Sequence, residues 1–120
     1  MTQPKQIQMI DLLLTRTRTG HIDWKPTPLS ETISVSFDKA SMLLTQLPSH
    51  DAADEHDYRV QIVGPAGDIV EEFKDVDFGD NTRQMYQMMS ELFELGRRKA
   101  LGADAAIDSI IEELNNIIPF

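Results

Sequence analysis

The chain has 120 residues, of which 41% are hydrophobic and 26% are charged. This length and composition suit one globular domain with its own core, so we treat residues 1–120 as a single domain. Cysteine is missing from the sequence, which excludes disulfides, thiolate metal sites and cysteine nucleophiles and fits a reducing compartment. No signal-peptide pattern or long apolar run is present, so we expect a cytoplasmic bacterial protein that does not enter a membrane.

Negative charge is concentrated in one part of the chain. The net charge is −9. The segment from Asp51 to Asp80 holds ten acidic and two basic residues and carries −8, which leaves −1 for the remaining residues. This balance disfavours direct binding to nucleic acid, whose phosphates repel acidic surfaces.

The N-terminal region is predicted to form a helix followed by a short strand. Apolar residues at helical spacing predict a helix over residues 5–19; they are Ile7, Ile10, Leu13 and Leu14. Gly20 is a typical residue just after a helix end. Alternation then indicates a short strand from Ile22 to Trp24, which the prolines of residues 25–28 interrupt.

The middle of the chain is predicted to be an antiparallel sheet. Apolar and polar residues alternate over residues 30–37 and 58–63, which is typical of half-buried strands. Residues 41–47 and 69–74 are predicted to be their return strands, after turns at residues 38–39 and 64–68. Residues 48–57 have too few apolar side chains to order themselves and are predicted to be a loop. Together with the short strand after the first helix, these segments form a meander of four or five strands.

Two helices are predicted to close the chain. Asn81 begins a long helix, with Gln84 as its capping-box partner, that ends near Leu101. Asp104 begins the last helix, which Pro119 ends. Its apolar face consists of Ile107, Ile110, Ile111, Leu114, Ile117 and Ile118. The expected fold class is therefore α+β, with an N-terminal helix, a meander and two C-terminal helices packed on one sheet face.

No motif in the sequence predicts a catalytic, cofactor or metal site. The three histidines have no metal-ligand spacing, although His56 stands among acids. Asp75 to Asp80 resembles the start of a calcium loop, but that loop needs glycine at position 6 and glutamate at position 12, where this chain has Asp80 and Tyr86. The segment is more simply a connection between a strand and a helix. We therefore assign no metal, cofactor or catalytic residue.

Several residues are candidates for binding a partner. Leu12 lies off the main apolar face of the first helix, and Phe120 ends an apolar C-terminus; surplus apolar surface of this kind predicts a homodimer. Trp24 is either an exposed anchor or a residue that closes the core. Acidic side chains around the predicted loop complete the set: Asp54, Glu55 and Asp57.

A longer pattern resembles a known family. Its first part is Leu-Leu-x-x-Thr-x-x-Gly-x-Ile-x-Trp from Leu13 to Trp24, followed by Tyr58-Arg59-Val60-x-Ile62. Its last part is the stretch from Leu92 to Asp108. The pattern resembles a family of small uncharacterised bacterial domains. The resemblance implies no activity and no catalytic residues, because its motifs are helix stops, strands and a helix break.

The sequence favours a non-catalytic protein-interaction or regulatory domain over an enzyme, because no reactive group of residues is visible. Two alternatives remain. The acidic segment suits an inhibitor, an immunity-type protein or a nucleic-acid mimic. A small-ligand binder or an enzyme would require groups that converge from distant parts of the chain.

Overall fold

The computed structural model describes residues 4–48 and 56–117, and its fold class is α+β as predicted. Three helices are present in these ranges: α1 (Lys5–Arg18), α2 (Thr82–Ala100) and α3 (Ala103–Asn115). The strands are β1 (Lys25–Pro26), β2 (Thr32–Ser36), β3 (Ser41–Pro48), β4 (His56–Val63) and β5 (Ile69–Lys74). A 3-10 turn over Asp75–Asn81 leads into α2. None of the described helices is long and apolar enough to cross a bilayer.

The five strands form one antiparallel sheet in which spatial order follows chain order. Ile33 pairs with Leu44, Leu44 with Val60, and Val60 with Phe73. Because side chains alternate across a sheet, these four residues lie on the same face. All four are buried, so this row forms the sheet's contribution to the core.

Helices α1 and α2 cover that face of the sheet. Their buried apolar side chains lie at helical spacing and include Ile7, Ile10, Met85, Met89 and Leu92, all fully buried. The helices are also joined at the surface, where Arg18 donates two hydrogen bonds to the carboxylate of Glu91, at 2.6 and 2.7 Å. The core therefore has two layers, one of strands and one of two helices.

Trp24 closes the core where α2 passes β1 and β2. Its side chain is only 1% exposed, and the indole Nε1–H donates to the hydroxyl of Thr17 at 3.1 Å. Gly96 permits this packing, since a Cβ there would lie 2.6 Å from Ile33 Cδ1 and 3.1 Å from the indole. Of the two placements predicted for Trp24, the structure shows the buried one, and the exposed-anchor prediction is corrected.

Both edges of the sheet resist pairing with another strand. β1 has two residues, and its Pro26 lacks the N–H that a further strand would bind. At the other edge, β5 exposes Glu71 and Glu72, and a bulge between Ile62 and Val63 disturbs the adjoining register. Charged side chains and bulges are common protections of an edge strand. We therefore look for a functional surface on the helices.

The structure differs from the prediction in four respects. Pro48, His56 and Asp57, which the sequence placed in a loop, belong to the paired strands β3 and β4. The first strand is Lys25–Pro26 rather than Ile22 to Trp24, because Trp24 points into the core and an edge strand tolerates proline. α2 has no side-chain cap at Asn81; it continues from the preceding turn, and Thr82 N–H donates to the carbonyl of Gly79. Finally, α3 does not pack on the sheet, since among the described elements it contacts only α2.

Candidate functional site

Helix α3 presents an apolar surface that no described residue covers. The side chains Ile107, Ile110, Ile111, Leu114 and Ile117 are between 47% and 61% exposed, and no residue of α3 is buried. We call these five residues the α3 stripe. Helical spacing places the first four on one side of α3, and Ile117 follows just after the helix ends. Exposed apolar patches of this kind mark interaction surfaces in soluble proteins.

A short connection holds α3 at the end of α2. Leu101 and Gly102 separate the helices, and Gly102 has a φ of 68°, a left-handed conformation that favours glycine. Leu101 N–H donates to the carbonyl of Arg97, and the Arg98 guanidinium donates to Asp104 at 2.9 Å. This exposed salt bridge spans the connection and joins the first turn of α3 to the last turn of α2.

All the charged residues of α3 are acidic. The helix contains Asp104, Asp108, Glu112 and Glu113 and has no basic residue. Helical spacing places Asp108 and Glu113 on opposite sides of the α3 stripe. A surface that binds this helix must therefore be apolar at its centre. Basic groups at the margins of that surface would strengthen the binding.

A second exposed apolar surface lies on α1. A groove of about 560 Å³ runs along the outer side of this helix. Its apolar lining consists of Met9, Leu12, Leu13, Ile22 and Phe37, with the polar side chains Lys5, Gln8 and Arg16. We call this surface the α1 groove. Leu12 is 54% exposed and Phe37 49% exposed, so neither belongs to the core.

A third feature is a cleft of about 510 Å³ beside the turn that precedes α2, lined in part by His56, Asp57 and Asp75. Asp75 is only 2% exposed, and burial raises the pKa of its carboxyl above the usual value. The Tyr58 N–H donates to Asp75 Oδ1 at 2.9 Å and opposes that rise in pKa, while the charge of Asp57 adds to it. The carboxylate thus joins β4 to the turn, which is a structural role.

The described residues show no arrangement that assigns a reaction to this cleft. Within residues 4–48 and 56–117, no group of three histidine, aspartate or glutamate side chains is placed to hold a metal ion. Comparison with family models, with curated proteins and with solved structures gave no match to this chain. The resemblance drawn from the sequence pattern therefore stays a prediction.

The structure separates the residues that the sequence suggested for partner binding. Leu12 is exposed in the α1 groove, whereas Trp24 is in the core and cannot contact a partner. Asp57 lines the cleft beside the turn and is half-buried. Asp54, Glu55 and Phe120 lie outside the described residues. The predicted residues are thus not brought together into one site.

Sequence reasoning found part of the α1 groove through Leu12 and missed the exposure of α3. The apolar spacing of α3 was read as a face packed on the sheet, and the absence of basic residues from this helix was the available sign of a different role. The sequence signal for the α1 groove was limited to α1 itself, because Ile22 and Phe37 reach it from segments that follow α1 in the chain. Only the fold places them beside Leu12.

Proposed function

We propose that this chain is a non-catalytic protein-interaction domain whose binding element is α3. The observation that carries the proposal is the exposure of the α3 stripe, in which five large apolar side chains are about half exposed. Burying apolar surface is the dominant favourable term in protein association. An amphipathic helix that inserts its apolar face into a groove is a common mode of protein recognition.

The way α3 is attached supports the same proposal. A helix without a buried face is marginal on its own at this length, since isolated helices below about 12–15 residues are barely stable in water. The Arg98–Asp104 salt bridge and the connection at Gly102 hold only its first turn. Binding to a partner would supply the packing that the rest of α3 lacks. The proposal keeps the cytoplasmic location expected from the sequence.

The test compares two variants of α3 that add the same charge on opposite sides of the helix. Ile110→Asp places a carboxylate in the α3 stripe, and Ser109→Asp places one on the opposite side. Each purified chain is immobilised and exposed to a lysate of the native host, and retained proteins, including a second copy of the chain, are quantified. Retained proteins are then purified and titrated against the three chains.

We expect the wild type and Ser109→Asp to bind a protein that Ile110→Asp does not, because a charge in the α3 stripe must be desolvated on binding. A dissociation constant raised at least about tenfold for Ile110→Asp alone supports the proposal. Equal binding by all three chains, or no binding by any of them, contradicts it. Circular dichroism of the variants checks that α3 remains helical.

A further inference from the structure

The α3 stripe and the α1 groove are similar in length, and both are apolar. α3 is a convex helix of 13 residues and is about 20 Å long. The α1 groove extends along α1 from Lys5 to Arg16, about 16 Å of helix. Both surfaces are apolar at their centres, with isoleucine and leucine on α3 and Met9, Leu12 and Phe37 in the groove. One surface can therefore serve as the ligand and the other as its receptor.

Their charges are also complementary. Lys5 and Arg16 lie eleven residues apart on α1 and bring positive charge to the two ends of the groove. Neither forms a salt bridge with another residue in the described ranges. Asp108 and Glu113 bring negative charge to the two sides of the α3 stripe. The groove is therefore positive and α3 is negative, and opposite charge across an interface favours the correct partner.

The same charges argue against direct pairing of two α3 helices. Such a pair would bury the two α3 stripes against each other. It would also place the acids of one helix near those of the other, with no basic residue on either helix to offset them. Like charges facing each other across an interface are destabilising. The α1 groove offers α3 an apolar surface without this repulsion.

Within one chain, α3 does not reach the α1 groove. It contacts only α2 among the described elements, and all five residues of its stripe are exposed. The two-residue connection and the Arg98–Asp104 salt bridge hold it in that position. The groove that receives α3 must then belong to another molecule.

We propose that α3 of one copy binds in the α1 groove of a second copy, and that the two chains exchange their last helices in a symmetric homodimer. This inference rests on the proposed function, because it names the partner of α3. A two-fold axis makes both contacts identical, and two-fold dimers are the commonest closed assemblies. Each α3 then receives the packing that its own chain does not provide.

The experiment uses the full chain and two charge-reversed forms. The groove variant carries Lys5→Glu and Arg16→Glu, and the helix variant carries Asp108→Lys and Glu113→Lys. A control carries Arg83→Glu and Arg97→Glu, which change the net charge as the groove variant does at exposed positions outside the groove. Light scattering after size-exclusion chromatography gives the mass of each form at micromolar concentrations, and circular dichroism checks folding.

We expect the wild type and the control to have twice the chain mass of 13.6 kDa. The groove variant alone and the helix variant alone should each dissociate, with a dissociation constant raised at least about tenfold. An equimolar mixture of the two variants should form a dimer again. In the mixed dimer, each acidic groove receives a basic α3 and each basic groove receives an acidic α3.

Three results would overturn the inference. A wild-type mass of 13.6 kDa that does not rise with concentration excludes the homodimer. A groove variant that remains a dimer shows that α3 pairs elsewhere, for example with another α3. Two dissociated variants that fail to dimerise when mixed show that the charges do not face each other. If any of these occurs while Ile110→Asp still abolishes binding of another protein, the proposed function stands and only its partner is wrong.

Discussion

Helices α2 and α3 follow each other in the chain and both carry apolar residues at helical spacing, yet their surroundings differ completely. In α2, Met85, Met89 and Leu92 are fully buried between α1 and the sheet. In α3, the corresponding side chains remain about half exposed. Periodicity thus identifies the apolar side of a helix but does not identify the surface that covers it, which the rest of the fold or a second molecule must supply.

The largest expected effect comes from truncating the core at Trp24. Trp24→Ala should lower the free energy of unfolding by about 3–5 kcal/mol, because it leaves a cavity beneath α2 and removes the bond to Thr17. Leu114→Ala in the α3 stripe should change it by less than about 0.5 kcal/mol in the monomer. Urea denaturation followed by far-UV circular dichroism measures both, since Trp24 is the only tryptophan.

The two variants should be compared at several protein concentrations. If the loss in free energy of unfolding caused by Leu114→Ala grows with protein concentration, Leu114 contributes to a dimer, because association stabilises the folded chain by mass action. A loss as large as that of Trp24→Ala at the lowest concentration would mean that α3 is packed within the monomer. α2 and α3 would then both be packed within the monomer, and the difference in their surroundings described above would not exist.

A smaller effect is expected at Asp75. Asp75→Ala leaves the buried N–H of Tyr58 without its acceptor and should lower the free energy of unfolding by about 1–3 kcal/mol. Asp75→Asn keeps an oxygen acceptor and should lower it less. Chemical denaturation of both variants at neutral pH makes the comparison. Equal losses would show that the hydrogen bond to Tyr58 contributes nothing.

The raised pKa of Asp75 also predicts a pH dependence. Burial raises its pKa in the folded chain above the unfolded value of about 3.9, so the folded state holds the proton more tightly. Its contribution to stability is fully present below the unfolded pKa and is lost as the pH rises through the folded pKa. Relative to Asp75→Asn, the wild type should therefore lose stability as the pH rises from about 4 through the raised pKa of the folded chain. If the stability of the wild type relative to Asp75→Asn instead increases with pH, the prediction is wrong.

The smallest effect is expected for the surface link between α1 and α2. The Arg18 and Glu91 side chains are 54% and 42% exposed, although their contact is bidentate. A double-mutant cycle with Arg18→Gln and Glu91→Gln should give a coupling energy of at most about 1 kcal/mol. A much larger value would indicate that the charged pair, rather than the apolar packing beneath it, joins the two helices.

Most of the fold was predictable from the sequence because its signals are local. Alternation located β2 and β4 to within two residues, and the turns before β3 and β5 placed the two return strands correctly. The first strand was misplaced because both Trp24 and Pro26 depend on tertiary surroundings. Trp24 is buried only because the core offers it space, and Pro26 fits a strand only because that strand lies at the sheet edge.

The candidate site was far less predictable, because it depends on which apolar surfaces remain uncovered. Leu12 was identified by its position off the main face of α1, and the structure finds it exposed in the α1 groove. The exposure of α3 could not be inferred, since a short isoleucine-rich helix at a chain end usually packs on its own domain. Only the three-dimensional structure shows how many helices one sheet face can accommodate and which helix is left uncovered.

The chain-order topology of the sheet has a consequence for biosynthesis. Each strand pairs with the next one, so the sheet can assemble through short loops as the chain leaves the ribosome. The contact between Arg18 and Glu91, by contrast, joins residues that are 73 positions apart. α1 is therefore made first, but its partner on α2 is made near the end. Until residues 82–100 have emerged, the apolar side of α1 lacks the helix that buries it and remains exposed to water.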